Sequence, residues 1–392
     1  MKLLLVSFFY EHDHGGAEMV AREARRLMTD SLGWEVDVLC LTGGPDRGAG
    51  IHRIPPPVWW PGSRWYKHAV LFLQNPALDR WLLPAARRAG IRASQYDAIF
   101  CVDMNAIVLA HQLAQAANKP LYTWCQEVVP KRIDELSTRT NLAPLMNRLL
   151  AHRDGPWRDA LAASRRVASV SDFITRRTRQ YTRASQGTGR FITLYPPVEE
   201  CFLNTEPPSA ENEGPPKVLF YGRLSTEKGI DLLLRAWRRL NPNATLTILG
   251  MDGPLRAEVE DAAAAREDIH LLPTAPLAEI PAHIAAHDIV CCPSRVEESL
   301  CRTALEARWL GRTLLTTQSG AILEVIAGYP LAQTINARTD DHTATQALAN
   351  TLDTLLKNPP TFKGPQRAAE KDFKKKFLPE TFVVGLRAMF DD

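Results

Sequence analysis

Four residues carry most of the chemistry that can be read from this 392-residue chain. Two are glutamates, Glu298 and Glu306, in the stretch PSRVEESLCRTALEA, with seven residues between them. The other two are cations, Arg223 and Lys228, in VLFYGRLSTEKGID. Fixed cations beside a helix N-terminus form a site for a dianionic group such as a diphosphate. Carboxylates only accept hydrogen bonds, which suits them to pairs of sugar hydroxyls. The same residues also admit a plainer reading, a solvated βα-loop and acids that complement a helix dipole. Glu297 competes with Glu298 for the first position.

These side chains need a turn and a helix to hold them. In the cationic stretch a strand is expected to end at Tyr221, with a tight turn at Gly222 before Arg223 and Lys228. In the acidic stretch Ser299 has the character of an N-cap, for a helix from about Leu300 through Trp309 that stops at Gly311. The amides of Cys301 and Arg302 would then lack helical partners and could meet an anion. Eight residues of helix between the two glutamates would set them about 12 Å apart. That span runs from a sugar, across a diphosphate, to a ribose.

The larger pattern is an alternation of apolar runs with amphipathic ones. KLLLVSFFY, EVDVLCLT, DAIFCVD, PLYTWC and RRVASVS read as strands, separated by helices such as AEMVAREARRLMTD and AIVLAHQLAQAAN. Such spacing indicates doubly wound parallel α/β structure. A stretch rich in Pro and acid, NTEPPSAENEGPP, interrupts it at 204–216. The alternation then restarts with KVLFYG, GIDLLLRAWRRL, ATLTILG, PLRAEVEDAAAAR, IHLLP and DIVCCPS. The expected organisation is a Rossmann-like domain over 1–203, a linker over 204–216 and a second Rossmann-like domain over 217–377. The tail from Arg367 is basic at first and then apolar, and its C-terminal helix, 378–392, is expected to pack on a domain surface as part of the first. Ligands of such sheets bind at the carboxyl ends of the strands, and a cleft is expected between the domains.

Composition narrows the class. With 45% hydrophobic and 23% charged residues the chain is ordinarily globular, and a length of 392 favours two domains. A net charge of +3 gives no argument for nucleic acid. The N-terminal apolar run is short and followed by Glu11, His12, Asp13 and two glycines rather than a small-residue cleavage site, so it reads as a first strand. No run is long enough to span a membrane. The seven cysteines have no metal-ligand spacing. The expectation is a cytoplasmic protein without a structural metal.

Taken in order, YGRLSTEKGIDLLLRAW, LTILGMDG, HDIVCCPSRVEESLCRTALEA and SGAILEVI resemble the donor half of family 4 glycosyltransferases of the GT-B fold, two Rossmann-like domains facing across a cleft. The likeness is strong from Lys217 to about Gly328 and weaker before it, where a glycine loop (Gly15, Gly16) and LYPPVEECF match. The resemblance implies that Arg223 and Lys228, after Gly222, bind the donor diphosphate and stabilise it as it leaves. It implies that Glu298 holds the transferred sugar, assisted by the amides of Ser299, Leu300 and Cys301, and that Glu306 binds the ribose. Backbone around Leu272–Thr274 would recognise the base. Metal-free transfer with retention, by front-face attack and without cofactor, is implied, as is preorganised electrostatic stabilisation of the departing diphosphate. The implied donor is a nucleotide-diphospho-sugar, GDP-mannose or a UDP-hexose.

The sequence departs from the family in two places. Leu300-Cys301 replaces the usual Phe-Gly, so a Cβ enters where glycine is normal. The family often has a His in the first domain approaching the sugar, where this chain has Gln126 and Glu127. Glu127 as a polar or basic group is favoured over Gln126 as a hydrogen-bonding one, and His111 reads as an ordinary helix residue. Trp59, Trp60, Trp65 and Trp81 lie among Arg64, Lys67 and Arg80, and Arg165, Arg166, Arg176, Arg177, Arg179 and Arg183 form a basic tract. These suit a peripheral membrane contact and a lipid-linked acceptor, or an aromatic pocket for a soluble glycan. Two other functions stay open: a nucleotide-sugar epimerase or hydrolase, and an inactive nucleotide-sugar-binding subunit.

Overall fold

The computed structural model describes residues 1–10, 16–41, 48–54, 76–129, 147–148, 151–183, 189–207, 214–240, 243–358, 360 and 364–391. Gly15, Trp59, Trp60, Arg64, Trp65, Lys67 and residues 208–213 of the acidic, Pro-rich stretch lie outside them. The chain forms two compact units. The first takes residues 1–133, 141–197 and 377–392, and the second takes 134–140 and 198–376.

Unit 1 holds seven strands: β1 (Lys2–Val6), β2 (Glu35–Leu41), β3 (Ile51–Ile54), β4 (Ala98–Cys101), β5 (Leu121–Cys125), β6 (Arg166–Ser169) and β7 (Phe191–Thr193). Their order is β3-β2-β1-β4-β5-β6-β7, every pair parallel. Leu3, Leu4, Leu5 and Val6 are fully buried, because helices cover both faces of a parallel sheet and no residue alternates into water. Unit 2 repeats the plan with β8 (Lys217–Arg223), β9 (Thr245–Met251), β10 (Ile269–Leu272), β11 (Ile289–Cys292), β12 (Thr313–Thr317) and β13 (Ala332–Ile335). Its order is β10-β9-β8-β11-β12-β13, again all parallel. Val218, Phe220, Leu246, Ile248, Ile289 and Leu315 form its core with the buried face of the helix Ile230–Arg238.

Each sheet reverses its winding once, between β1 and β4 and between β8 and β11. Chain leaving two neighbouring strands on opposite sides of a sheet opens a crevice at their carboxyl ends. In unit 1 the crevice loops are tied by Asp103, which accepts from Phe8 N at 3.0 Å and Asn105 N at 2.8 Å. In unit 2 the corresponding loops are those that carry Lys228 and Glu298.

The last helix, Pro379–Phe390, returns to unit 1. Its apolar face makes this a packing requirement: the Phe390 ring lies 4.3 Å from that of Tyr122 and 5.2 Å from that of Trp34, and Phe382 lies 5.0 Å from Trp124. Phe382 and Trp124 are both essentially fully buried. Truncating Phe382 to Ala removes aromatic contact and leaves a cavity that the rigid sheet cannot close. A loss of about 3–5 kcal/mol is expected in urea unfolding followed by tryptophan fluorescence.

Candidate functional site

Two loops build the site of unit 2, and each is shaped by close backbone approach. β8 continues past the turn predicted at Gly222 and stays paired with β9 through Arg223. A short turn, Thr226–Lys228, follows, and the reversal is made at Gly229, with φ 74°. A Cβ there would overlap the Pro293 carbonyl, so only glycine lets the first loop lie against the second. Gly320 does the same on the other side: Glu298 forms an isolated bridge with it, and Ala321 N donates to Glu298 O at 2.9 Å.

Across this contact Lys228 Nζ stands 2.7 Å from Glu298 Oε1. Ser294 donates to the same oxygen at 2.6 Å and also bonds Glu227 O at 3.2 Å, joining the loops a second way. Burial works against the Glu298 charge, but Lys228, Ser294 and Arg223 outweigh it and hold the carboxyl below its ordinary range. Burial likewise opposes the Lys228 charge, and the Glu298 carboxylate lifts it above its usual value. Arg223 is half exposed and pairs with Glu227 at 2.6 Å. Thr274 donates its hydroxyl to Gly250 O at 3.0 Å, tying the chain after β10 to the end of β9.

The helix carrying Glu306 starts later than its sequence suggests. It spans Arg302–Trp309, and the residue before it is Cys301, not Ser299, with φ 63° and ψ 80° and no side-chain cap. Residues 298–301 are therefore not helical, and a helical rise cannot set the distance between the two glutamates. The cause is Gly320: a chain held in a bridge at Glu298 must reverse before it can wind. Cys301 makes that reversal in a left-handed conformation, the region where glycine is at home. Burial and the adjoining Cys292 thiol push the Cys301 thiol well above its ordinary value.

Glu306 is 4% exposed. Two residues that the sequence reading passed over hold it. Tyr221 donates to Oε2 at 2.7 Å, and Arg302 Nε to Oε1 at 3.1 Å. Arg302 also pairs with Glu199. The i, i+4 spacing of Arg302 and Glu306 was the available signal. Burial dominates at Glu306 and raises its pKa, despite these partners.

The remaining candidates lie in unit 1. Gln126 is buried and spends its Nε2 on Val102 O at 3.0 Å, while Glu127 is half-buried just after β5. Gly16 opens the helix Gly16–Asp30. Part of the arginine tract is absorbed by packing: Arg166 reaches Ala388 O, Arg177 lies 5.4 Å over Phe173, and Arg179 5.8 Å over Phe191. No group of His, Cys, Asp and Glu arranged to hold a metal occurs among the described residues, and no described helix is long and apolar enough to cross a membrane.

The two glutamates respond to pH in opposite directions. Folding lowers the pKa of Glu298, so its contribution to stability is present above the ordinary carboxylate range and lost as pH falls through the lowered folded value. Folding raises that of Glu306, so its contribution is present at low pH and lost as pH rises through the raised value. In thermal unfolding between about pH 3 and 8, Glu298→Gln should lose stability relative to the native chain as pH rises through the carboxylate range. Glu306→Gln should gain over the same interval. Parallel curves for the two variants would contradict the assigned environments.

Residues 203–375 match the family model described as glycosyl transferases group 1. The lipopolysaccharide 1,2-N-acetylglucosaminetransferase of Salmonella typhimurium (strain LT2) is 32% identical over 154 residues, covering 34% of this chain and 39% of that protein. The match thus spans well under half of that relative. Among solved structures, the sucrose-phosphate synthase of Thermosynechococcus elongatus superposes with a TM-score of 0.73 at 15% identity, over 100% of this chain and 98% of its own. HepE of Anabaena, in complex with UDP and glucose, does so at 0.68 and 16% identity, over 99% and 98%. At such identities these likenesses speak for the fold alone. The fold is that of GT-B proteins, and the likeness to the glycosyl transferases group 1 model extends over residues 203–375, under half of the chain.

Proposed function

We propose that this chain is a retaining glycosyltransferase that moves a hexose from a nucleotide-diphospho-sugar to a glycan or lipid-linked acceptor, with no metal and no cofactor. The observation that carries the reading is the pairing of Lys228 with Glu298 across the switch point of a group 1 domain. A cation and an anion held 2.7 Å apart at a ligand crevice are matched to a substrate that has both an anionic and a hydroxylated end. On binding, Lys228 exchanges the carboxylate for the diphosphate, and Glu298, still held by Ser294, accepts from the sugar hydroxyls. Arg223, half exposed, adds the second cation. The amides of Ser299, Leu300 and Cys301 assist Glu298 with the sugar, and Glu306 takes the ribose.

In the reaction the bond from the anomeric carbon to the diphosphate oxygen breaks, and a bond from the acceptor hydroxyl forms on the same face. The acceptor proton passes to the departing phosphate oxygen. Negative charge grows on that oxygen, and Lys228 and Arg223 offset it in the role a divalent ion could otherwise take. Glu127 is the residue to which we assign the polar role near the sugar that a His often has in similar enzymes. Gln126, whose Nε2 is bonded to Val102 O, is the alternative, as a hydrogen-bonding group for the sugar.

The named relatives support a UDP-sugar over GDP-mannose: HepE has been captured with UDP-glucose, and the Salmonella enzyme transfers N-acetylglucosamine in lipopolysaccharide. The product on this reading is a bacterial surface glycan or glycolipid, made in the cytoplasm at the inner face of the membrane.

Thermal shift with UDP, GDP and their sugars identifies the donor, since a ligand at 100 times its Kd stabilises by about 2.7 kcal/mol. The donor found should be hydrolysed slowly without acceptor. Lys228→Ala should abolish this turnover, and Glu298→Gln should cut kcat about 10²–10³-fold. Binding without turnover across donors and acceptors would instead mark a nucleotide-sugar-binding subunit. Full transfer by Glu298→Gln would remove that residue from the sugar contact.

A further inference from the structure

Behind the Lys228–Glu298 pair the same two loops are joined again, with the charges reversed. Asp231 follows Lys228 by three positions, and Arg295 precedes Glu298 by three. Arg295 Nη1 stands 3.2 Å from Asp231 Oδ2, and its Nη2 reaches Asp341. Arg235 completes the cluster at 3.0 Å from Asp231 and 3.1 Å from Asp341. The Arg295 side chain is 5% exposed and that of Asp231 10%. The backbone is fixed at the same place, with Arg295 N donating to Glu227 O at 2.8 Å.

We propose that Arg295 is a positioning residue, which keeps Lys228 and Glu298 at their working separation once the donor has opened the ion pair between them. The inference rests on reading the site as one for a nucleotide-sugar. In the free protein the front pair helps to hold the loops together. When a diphosphate takes Lys228, that attraction is withdrawn, and Glu298 must keep its place while it turns to the sugar. The rear pair does not touch substrate and stays intact through this exchange. It is buried, so solvent ions screen it little.

A contribution to stability alone is a poor account of the cluster. Buried ion pairs return little net stability against apolar replacements, and Asp231 Oδ1 and Arg295 Nε have no hydrogen-bond partner. What the arginine fork supplies is geometry. It spans Asp231 and Asp341 at once, which a lysine ammonium at the same position does not.

Arg295→Lys, which keeps the buried charge, tests this by hydrolysis of UDP-glucose and GDP-mannose and by affinity for UDP and GDP. The variant should keep nucleotide affinity within about threefold, because Arg223 and Glu306 are untouched, while kcat falls about 10–100-fold through misplacement of the reacting groups. Asp231→Asn should act in the same direction, and Asp341→Asn should lose less, because Asp341 is 55% exposed and Arg295 keeps Asp231. Lys228→Ala serves as the contrast, losing nucleotide affinity together with turnover. An Arg295→Lys protein with native kcat overturns the inference, as does a loss of kcat that only follows the unfolded fraction seen by circular dichroism. If the native chain turns over neither donor while other nucleotide sugars are hydrolysed, those replace the probes. If it turns over none, the reading of the site fails, and this inference with it.

Discussion

The constraint on which the site depends is the contact between two backbones, Gly229 against Pro293 and Gly320 against Glu298. Each meeting lacks room for a side chain. The first sets the loop after β8 against the loop after β11, and the second sets the loop after β11 against the one after β12. Without them the ion pairs that cross between the loops after β8 and β11 could not close. The charges do not bring the loops together on their own. A Lys on a short turn and a Glu on an irregular segment lose side-chain entropy on pairing, and in water such pairs are worth little. Pre-placed by backbone packing and partly withdrawn from solvent, the same pair is held in one geometry.

Sheet topology sets where this happens. A single reversal of winding places β8 beside β11, so that residues 225–229 and 293–299 are neighbours although some seventy positions apart in the chain. The amino-terminal sheet repeats the arrangement between β1 and β4, and there Asp103 joins the two loops by accepting backbone N–H groups. The loops of unit 1 are thus tied by a carboxylate to amides, and those of unit 2 by ion pairs between side chains.

Much of this was legible in the sequence because it follows from periodicity and from residue type. Continuous apolar runs such as KLLLV and LTILG have only one use in an α/β chain, as strands buried on both faces. Arg223, Lys228, Glu298 and Glu306 stand out through the order and spacing of the motifs that carry them, since each charge alone also suits a solvated loop or a helix dipole. What was not legible depended on contacts distant in the chain. The continuation of β8 through Gly222 follows from pairing with Gly250, which the local signal of a Gly-Arg turn does not contain. The late start of the helix at Arg302 follows from the bridge to Gly320. Tyr221 and Arg302 read as strand and helix residues of no special chemistry until Glu306 is placed between them. Arg295 shows the same limit, since its partner Asp231 is identified only when the two loops meet.

Cys301 brings these constraints together. An L-residue in the left-handed region carries a cost of about 1–2 kcal/mol, and such a conformation persists only where its surroundings determine it. Here they do so on both sides. The bridge from Glu298 to Gly320 fixes the chain before it, and the helix to Trp309 fixes the chain after it. The side chain that glycine would lack is almost fully buried, against Cys292 at the end of β11. Burial of the thiol returns part of the backbone cost. The turn at Cys301 is therefore specified by its packing, and it does not need the freedom of a glycine to form.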